Sequence, residues 1–177
     1  MDSYLYVLSN KMISPLEPPD SFHLQAAQGW LELGNPVESI EELEKVTPLM
    51  RTHPDVLKVR WEIYAAQKKW ETALDIATSL MELEPEKALG WVHRSYCLHE
   101  LKRTAEARDN LLRVVDKFSM SATISYNLAC YECQLGNLPQ AKKWLKAAFR
   151  IGNKKQMKRA ALEDPDLKPL WQEIRSS

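Results

Sequence analysis

Glycine is scarce in this chain, with five in 177 residues. No Gly-rich loop that could cradle a phosphate is present. Cysteine is scarcer still: Cys97, Cys130 and Cys133 are too few and too oddly numbered for a disulfide framework, which points to a reducing compartment. No run approaches the ~18 consecutive apolar residues of a transmembrane helix. The opening "MDSYLYVLSNKMISPLEPPD" lacks a basic n-region and a continuous apolar stretch, so it makes a poor signal peptide. A cytoplasmic location is the expectation. The formal net charge is zero, so no whole-molecule field recruits nucleic acid or a membrane surface. There is no G-x-S-x-G and no H-E-x-x-H. His23 and His53 stand alone, as packing or solvent residues do. No catalytic constellation remains, and an enzyme is not expected.

What the chain has is helix-forming residues, and a period. β-Branched residues are sparse, while Leu, Ala, Glu and Lys abound. The contexts "LELGNPVES", "AAQKKWETA", "HELKRTAEA" and "CQLGNLPQA" recur every 34 residues, centred on Gly34, Lys68, Lys102 and Gly136. Five residues later come Ser39, Ala73, Ala107 and Ala141. Leu43, Ala77, Leu111 and Leu145 follow, then Val46, Leu80, Val114 and Ala148. The frame holds from Asp20 to about Asn153 without an insertion.

Within each unit the apolar spacing is helical. Phe22, Ala26, Ala27 and Trp30 form one expected stripe, and Val56, Trp61, Ile63 and Tyr64 a second, wider one. The Gly or Lys breaks the pattern, and Asn35, Thr104 and Asn137 stand where capping residues of a second helix belong. Pro36 and Pro139 fall in a first turn, where a missing N–H costs little. Each unit is therefore a helix–turn–helix hairpin. The recurrent small residue lets two antiparallel helices cross closely. A single hairpin cannot bury both its faces, so neighbours must stack on it.

The units resemble tetratricopeptide repeats, whose pattern is W-x2-L-G-x2-Y, then A-x3-F, then P. The fourth matches best, with Leu128-Ala129 for the L-G pair, Gly136 at the turn and Ala141-x3-Leu145. The third offers Trp91, Leu98 and Ala107-x3-Leu111. The second offers Tyr64, Ala73 and Pro85, but has Trp61 where a small residue is usual. The first has Ala27, Trp30, Gly34 and Ser39, with its terminal Pro displaced to Pro54. The resemblance implies an all-α fold, an α-α superhelix (a right-handed solenoid) of about four hairpins. Their expected bounds are 20–53, 54–87, 88–121 and 122–153. Residues 1–19 form an N-terminal extension and 154–177 capping helices, one ending near Leu162 and the next starting near Asp166.

The resemblance also implies a role: a scaffold or adaptor without catalysis or cofactor, binding a partner's peptide or helix on a concave surface lined by the first helix of each unit. In register, the second unit contributes Lys58 and Glu62. The third contributes Leu89, Val92, His93, Tyr96, His99 and Glu100. From the fourth come Thr123, Tyr126, Asn127, Cys130 and Gln134. One subclass clamps chaperone C-termini with paired Lys and Asn and an Arg; only Asn127 matches, so chaperone-tail binding is not expected.

Two features admit a second function. "CYEC" places Cys130 and Cys133 on one helical face, where His99 could join them in a metal- or redox-responsive site. Against it, Cys is an ordinary small buried residue in helix packing. "KKWLKAAFRIGNKKQMKR" carries eight Lys/Arg and no acid. It reads as a solvated face, or as a contact for acidic protein, rather than a nucleic-acid site, since Trp144 and Phe149 are assigned to packing. Residues 1–90 hold 15 acidic and 8 basic side chains and residues 91–177 hold 9 and 16, so the chain is bipolar at −7 and +7. A monomer is expected at physiological salt, with weak head-to-tail association only at low ionic strength.

Overall fold

The computed structural model describes residues 14–176, and no strand occurs among them. The chain divides into two compact units, the first running to Gln67 and the second starting at Lys68. The "YLYVL" part of the N-terminal extension lies outside the described residues.

In the first unit, α1 (Asp20–Glu32) and α2 (Pro36–Lys45) form a hairpin, followed by a short 3-10 turn (Pro48–Met50) and α3 (Pro54–Ala66). Ala27, Leu43, Val46, Val56, Val59 and Ile63 make its core, with Leu24 and Leu31 packed at the edge. The apolar stripe of α1 is thus Leu24, Ala27 and Leu31, spaced i, i+3, i+7. This corrects the expected stripe: Phe22 is 61% exposed, and Ala26 and Trp30 also face outward. Only Ala27 of that set lies on the side facing α2 and α3. Asp20 ties the start of α1 to the end of α2, its carboxylate accepting from the Thr47 N–H at 2.8 Å.

In the second unit, α4 (Trp70–Leu83) packs on α5 (Ala88–Glu100). The hairpins α5/α6 (α6, Thr104–Leu112) and α7/α8 (Ala122–Gln134, Leu138–Ile151) follow. Gly90 sits where α5 meets α4: a Cβ there would lie 2.5 Å from the Met81 backbone N, so any side chain would force the axes apart. The chain closes with α9 (Lys154–Glu163), a 3-10 segment (Pro165–Leu170) and α10 (Trp171–Ser176). The expected α-helix from about Asp166 is a 3-10 segment first. Pro169 lacks the N–H an α-turn needs, and short 3-10 pieces tolerate that loss better. Leu167, Leu170 and Ile174 from this end are buried.

The period of the sequence is a period of backbone conformation. Gly34, Lys68, Lys102 and Gly136 all adopt left-handed φ, at 75°, 56°, 65° and 80°. At three of these turns the next residue's N–H reaches back to the carbonyl five before it: Asn35 to Trp30, Arg103 to Leu98 and Asn137 to Glu132. This bond closes a Schellman-type helix end. Ser39, Ala73, Ala107 and Ala141 are all fully buried. At two hairpins a hydroxyl bridges the crossing: Ser39 donates to the Ala27 carbonyl at 2.6 Å and Ser95 to that of Ala107 at 3.1 Å. Asn110 adds bonds to Ser95 Oγ and the Trp91 carbonyl, and accepts from Arg94.

The capping expectations divide. Asn35 accepts from the Glu38 N–H, as expected. Thr104 is the first residue of α6 rather than its cap, and its hydroxyl bonds His99 instead. Asn137 stands at the cap position but turns its amide to Glu132 at 3.0 Å. In both, a side-chain partner from the preceding helix has replaced the capping N–H.

Two substitutions with opposite signs test this geometry. Ala107→Leu overpacks the α5/α6 crossing and lowers stability by about 1–3 kcal/mol. Lys102→Gly relieves a left-handed residue, a cost of roughly 1–2 kcal/mol partly offset by glycine's entropy, for a net gain of about 0.5–1 kcal/mol. Chemical denaturation reads both, and unchanged midpoints would show the hairpin register to be wrong.

Candidate functional site

In the second unit α5 and α7 lie side by side, each the first helix of its hairpin. Their shared face has an open end and a closed end.

At the open end, Leu89 and Tyr96 of α5 are 37% and 39% exposed. Tyr96 meets Trp70 edge to face, with centroids 5.5 Å apart, which holds its ring upright. Burial raises its hydroxyl pKa, helped by the Glu100 carboxylate with which it shares a hydrogen bond. Val92 and His93 are half-buried between them. Burial pulls His93 down to about 4, so its ring is neutral at physiological pH. Across from them, α7 presents exposed Thr123 and half-buried Asn127. The surface is apolar and aromatic, with neutral amide and imidazole groups at its margin.

At the closed end the chain fills its own face. Tyr126 donates its hydroxyl to Asp164 Oδ2 at 2.9 Å, and the Cys130 thiol lies 3.6 Å from the same oxygen. The Asp166 N–H donates to Asp164 Oδ1, closing an Asx turn across Pro165. His99 donates from Nε2 to the Asp166 carboxylate at 2.8 Å, and its Nδ1 lies in hydrogen-bond contact with the Thr104 hydroxyl at 3.0 Å. Its ring lies tilted on Tyr131, with centroids 5.0 Å apart. Gln134 donates to the Asp166 carbonyl at 2.9 Å. Four expected ligand-facing residues, His99, Tyr126, Cys130 and Gln134, thus hold an Asp-Pro-Asp turn of the same chain.

Lys58 and Glu62 belong to the first unit. They line a hollow of about 420 Å³ with Leu24, Gln25 and Gln28 of α1. Lys58 is paired with Asp55 at 2.8 Å, and burial raises the Glu62 carboxyl. His23 bonds Glu42, and His53 caps α3 through the Asp55 N–H.

Metal and redox chemistry find little here. Among the described residues one set of three ligand atoms lies mutually within 4.8 Å: Cys130, Asp164 and Asp166. Cys133 and His99, the expected companions of Cys130, are not in it. Its oxygens already accept from Tyr126, His99 and a backbone N–H. Burial, then the nearby Asp164 carboxylate, pushes the Cys130 thiol strongly upward, and burial does the same to Cys133. Redox-active cysteines need the opposite shift. The cluster is a hydrogen-bonded clasp.

Asp164, Asp166, Thr104 and Tyr131 were not legible as site residues. The available signal was "EDPDL", where two Asp flank a proline in Asx-turn fashion.

No family model matches the sequence, and no curated protein matches it either. Solved structures do match in fold. MamA from Desulfovibrio magneticus RS-1 (residues 41 to the end) aligns over 92% of this chain and 94% of its own, at 16% identity and a TM-score of 0.69. A second MamA crystal structure aligns over 89% and 86%, at 15% identity and a TM-score of 0.69. The TPR2AB domain of yeast Sti1, in complex with pHSP90, aligns over 88% of this chain and 69% of its own, at 15% identity and a TM-score of 0.56. The fold is that of tetratricopeptide-repeat proteins. No helix among the described residues is long and apolar enough to cross a membrane.

The buried neutral His93 generates a pH dependence. Its folded pKa, about 4, lies below the unfolded value near 6.5, so between these pH values the unfolded state binds more protons. Stability is therefore full above about pH 6.5 and falls as pH drops toward about 4, by an amount of order 2–3 kcal/mol. Urea denaturation at stepped pH should show this slope flattened in His93→Gln; an unchanged slope would remove His93 as its source.

Proposed function

We propose that this chain is a non-enzymatic interaction module, an adaptor of the cytoplasm that binds a peptide or helix of a partner protein. The observation that carries this is the uncovered strip of α5 and α7: two exposed apolar side chains, Leu89 and Tyr96, beside Val92, His93, Thr123 and Asn127. Aromatic side chains held by packing make good contact residues, because little rotamer freedom is lost on binding. The Asn127 amide can bond the backbone of an extended peptide.

The tetratricopeptide neighbours support protein partners in general, and the Sti1 domain was solved in complex with pHSP90. A chaperone tail is a poor fit to this strip, which offers no paired lysines for a terminal carboxylate. His99, Tyr126, Cys130 and Gln134 serve the module by holding its C-terminal turn, so the partner lies toward Leu89 and Tyr96. Glu100 contributes by fixing the Tyr96 hydroxyl. In the first unit, the hollow bearing Lys58 and Glu62 offers an additional contact.

Affinity capture from lysate of the source organism tests the proposal, comparing wild type with Tyr96→Ala/Asn127→Ala by quantitative mass spectrometry. Specific partners should fall at least tenfold with the double variant. Equal recovery of every partner by both proteins would sink the assignment of this strip.

A further inference from the structure

Away from the α5/α7 strip, a group of cations without ion pairs lies on α8 and the first turn of α9. The chain turns at Gly152–Asn153, and α9 starts at once with Lys154 and Lys155. Lys143, Lys146 and Arg150, spaced i, i+3, i+7, share one stripe of α8. Together with Ala147, Phe149 and Lys154 they line an open hollow of about 430 Å³.

Elsewhere among the described residues many cations are matched to anions, and those that are not, such as Lys68, Lys102, Arg113 and Lys168, stand singly along the sequence. Lys45 pairs with Glu42, Arg51 and Arg60 with Glu44, Lys87 with Glu84, Arg103 with Glu106 and Lys117 with Glu86. At the margins of the basic segment the same holds: Lys142 reaches Glu173 and Arg159 reaches Glu163. Between those margins, Lys143, Lys146, Arg150 and Lys154 have no carboxylate of a described residue within ion-pair distance. The first turn of α9 adds the positive end of a ten-residue helix and holds no acid, so its lysines stand against the helix dipole. Like charges packed this way repel one another, and no carboxylate among the described residues pairs with them.

We infer that this hollow is a second docking surface, separate from the α5/α7 strip, and that its occupant is an acidic segment of a partner protein. Charge complementarity supplies the attraction. The α8 stripe runs about 10 Å along the helix axis, a length an extended segment covers in about three residues. Phe149 and Ala147 give the hollow an apolar floor, so a side chain such as Leu among the carboxylates fits it best. A single half-buried aromatic is too little to stack successive bases, which disfavours single-stranded nucleic acid. With Phe149 half-buried, no large apolar group stands out to enter a bilayer.

The test uses the full chain and a fluorescein-labelled twelve-residue peptide of alternating Glu and Ala with one central Leu, read by anisotropy at low and physiological salt. Lys146→Glu/Arg150→Glu should bind at least tenfold more weakly than wild type. Lys87→Glu/Lys117→Glu, which reverses cations elsewhere, should stay within about twofold, as expected for sites outside the interface. A Gln-for-Glu peptide should not bind. Lys146→Gln/Arg150→Gln gives the same comparison should charge reversal perturb folding, and its melting temperature should equal or exceed wild type. Equal binding by the two charge-reversed proteins would overturn the inference. So would tighter binding of single-stranded RNA, or of phosphatidylserine vesicles, than of the peptide.

Discussion

Everything in this molecule depends on helices crossing closely enough for one side chain to touch the opposing backbone. At two hairpins that closeness is measurable as a serine hydroxyl bonding a carbonyl of the facing helix, Ser39 to Ala27 and Ser95 to Ala107. The roles are exchanged between them: the serine is on the second helix of one pair and on the first helix of the other. At these hairpins the contact takes small volume at both positions and leaves open which helix brings the hydroxyl, while the second unit carries Trp61 at the corresponding place. In α7 and α8 both places are Ala, Ala129 and Ala141, and both are fully buried. A buried hydroxyl is tolerated there only because it finds an acceptor within reach.

The crossing controls what lies beyond it. Close helices bring the ring of His93 into a desolvated setting, which keeps it neutral, and leave Tyr96 supported by Trp70 and partly exposed. The same packing leaves the outer stripe of α8 exposed, which is why that stripe can carry three cations, Lys143, Lys146 and Arg150. Interior and exterior obey different rules: Ser39, Ala73, Ala107 and Ala141 stay small and fully buried from unit to unit, while surface charge does not repeat.

This division explains how much was legible in the sequence. Positions set by backbone geometry or by volume repeat, and repetition is visible: the four left-handed turns and the four buried small residues were all placed by the spacing alone. Lys68 and Lys102 fell in line although neither is the glycine such a turn favours. The stripe of α1 was misjudged because Phe22 and Trp30 are apolar without being interior; hydrophobicity cannot distinguish core from exposed surface over a single helix. Thr104 and Asn137 were misjudged because their competing partners, His99 and Glu132, lie across a turn. The bonds from Asp164 and Asp166 span 32 to 67 positions and occur once, so no period announced them.

That C-terminal turn also limits how long the array can be. Asp164 and Asp166 meet Tyr126, Cys130 and His99, whose counterparts one unit earlier in the frame are Val92, Tyr96 and Ala65. None of those three offers the thiol or imidazole, and only Tyr96 offers a hydroxyl, at the wrong place. The cap therefore reads one address in the array. A duplicated hairpin inserted ahead of it would have to reproduce that address, and a chain shortened by one hairpin would leave the two carboxylates without the imidazole and thiol and with a phenol out of place. A duplicated unit placed directly before the cap would keep this address only if the third and fourth hairpins were copied together, since His99 comes from the third and Tyr126 and Cys130 from the fourth.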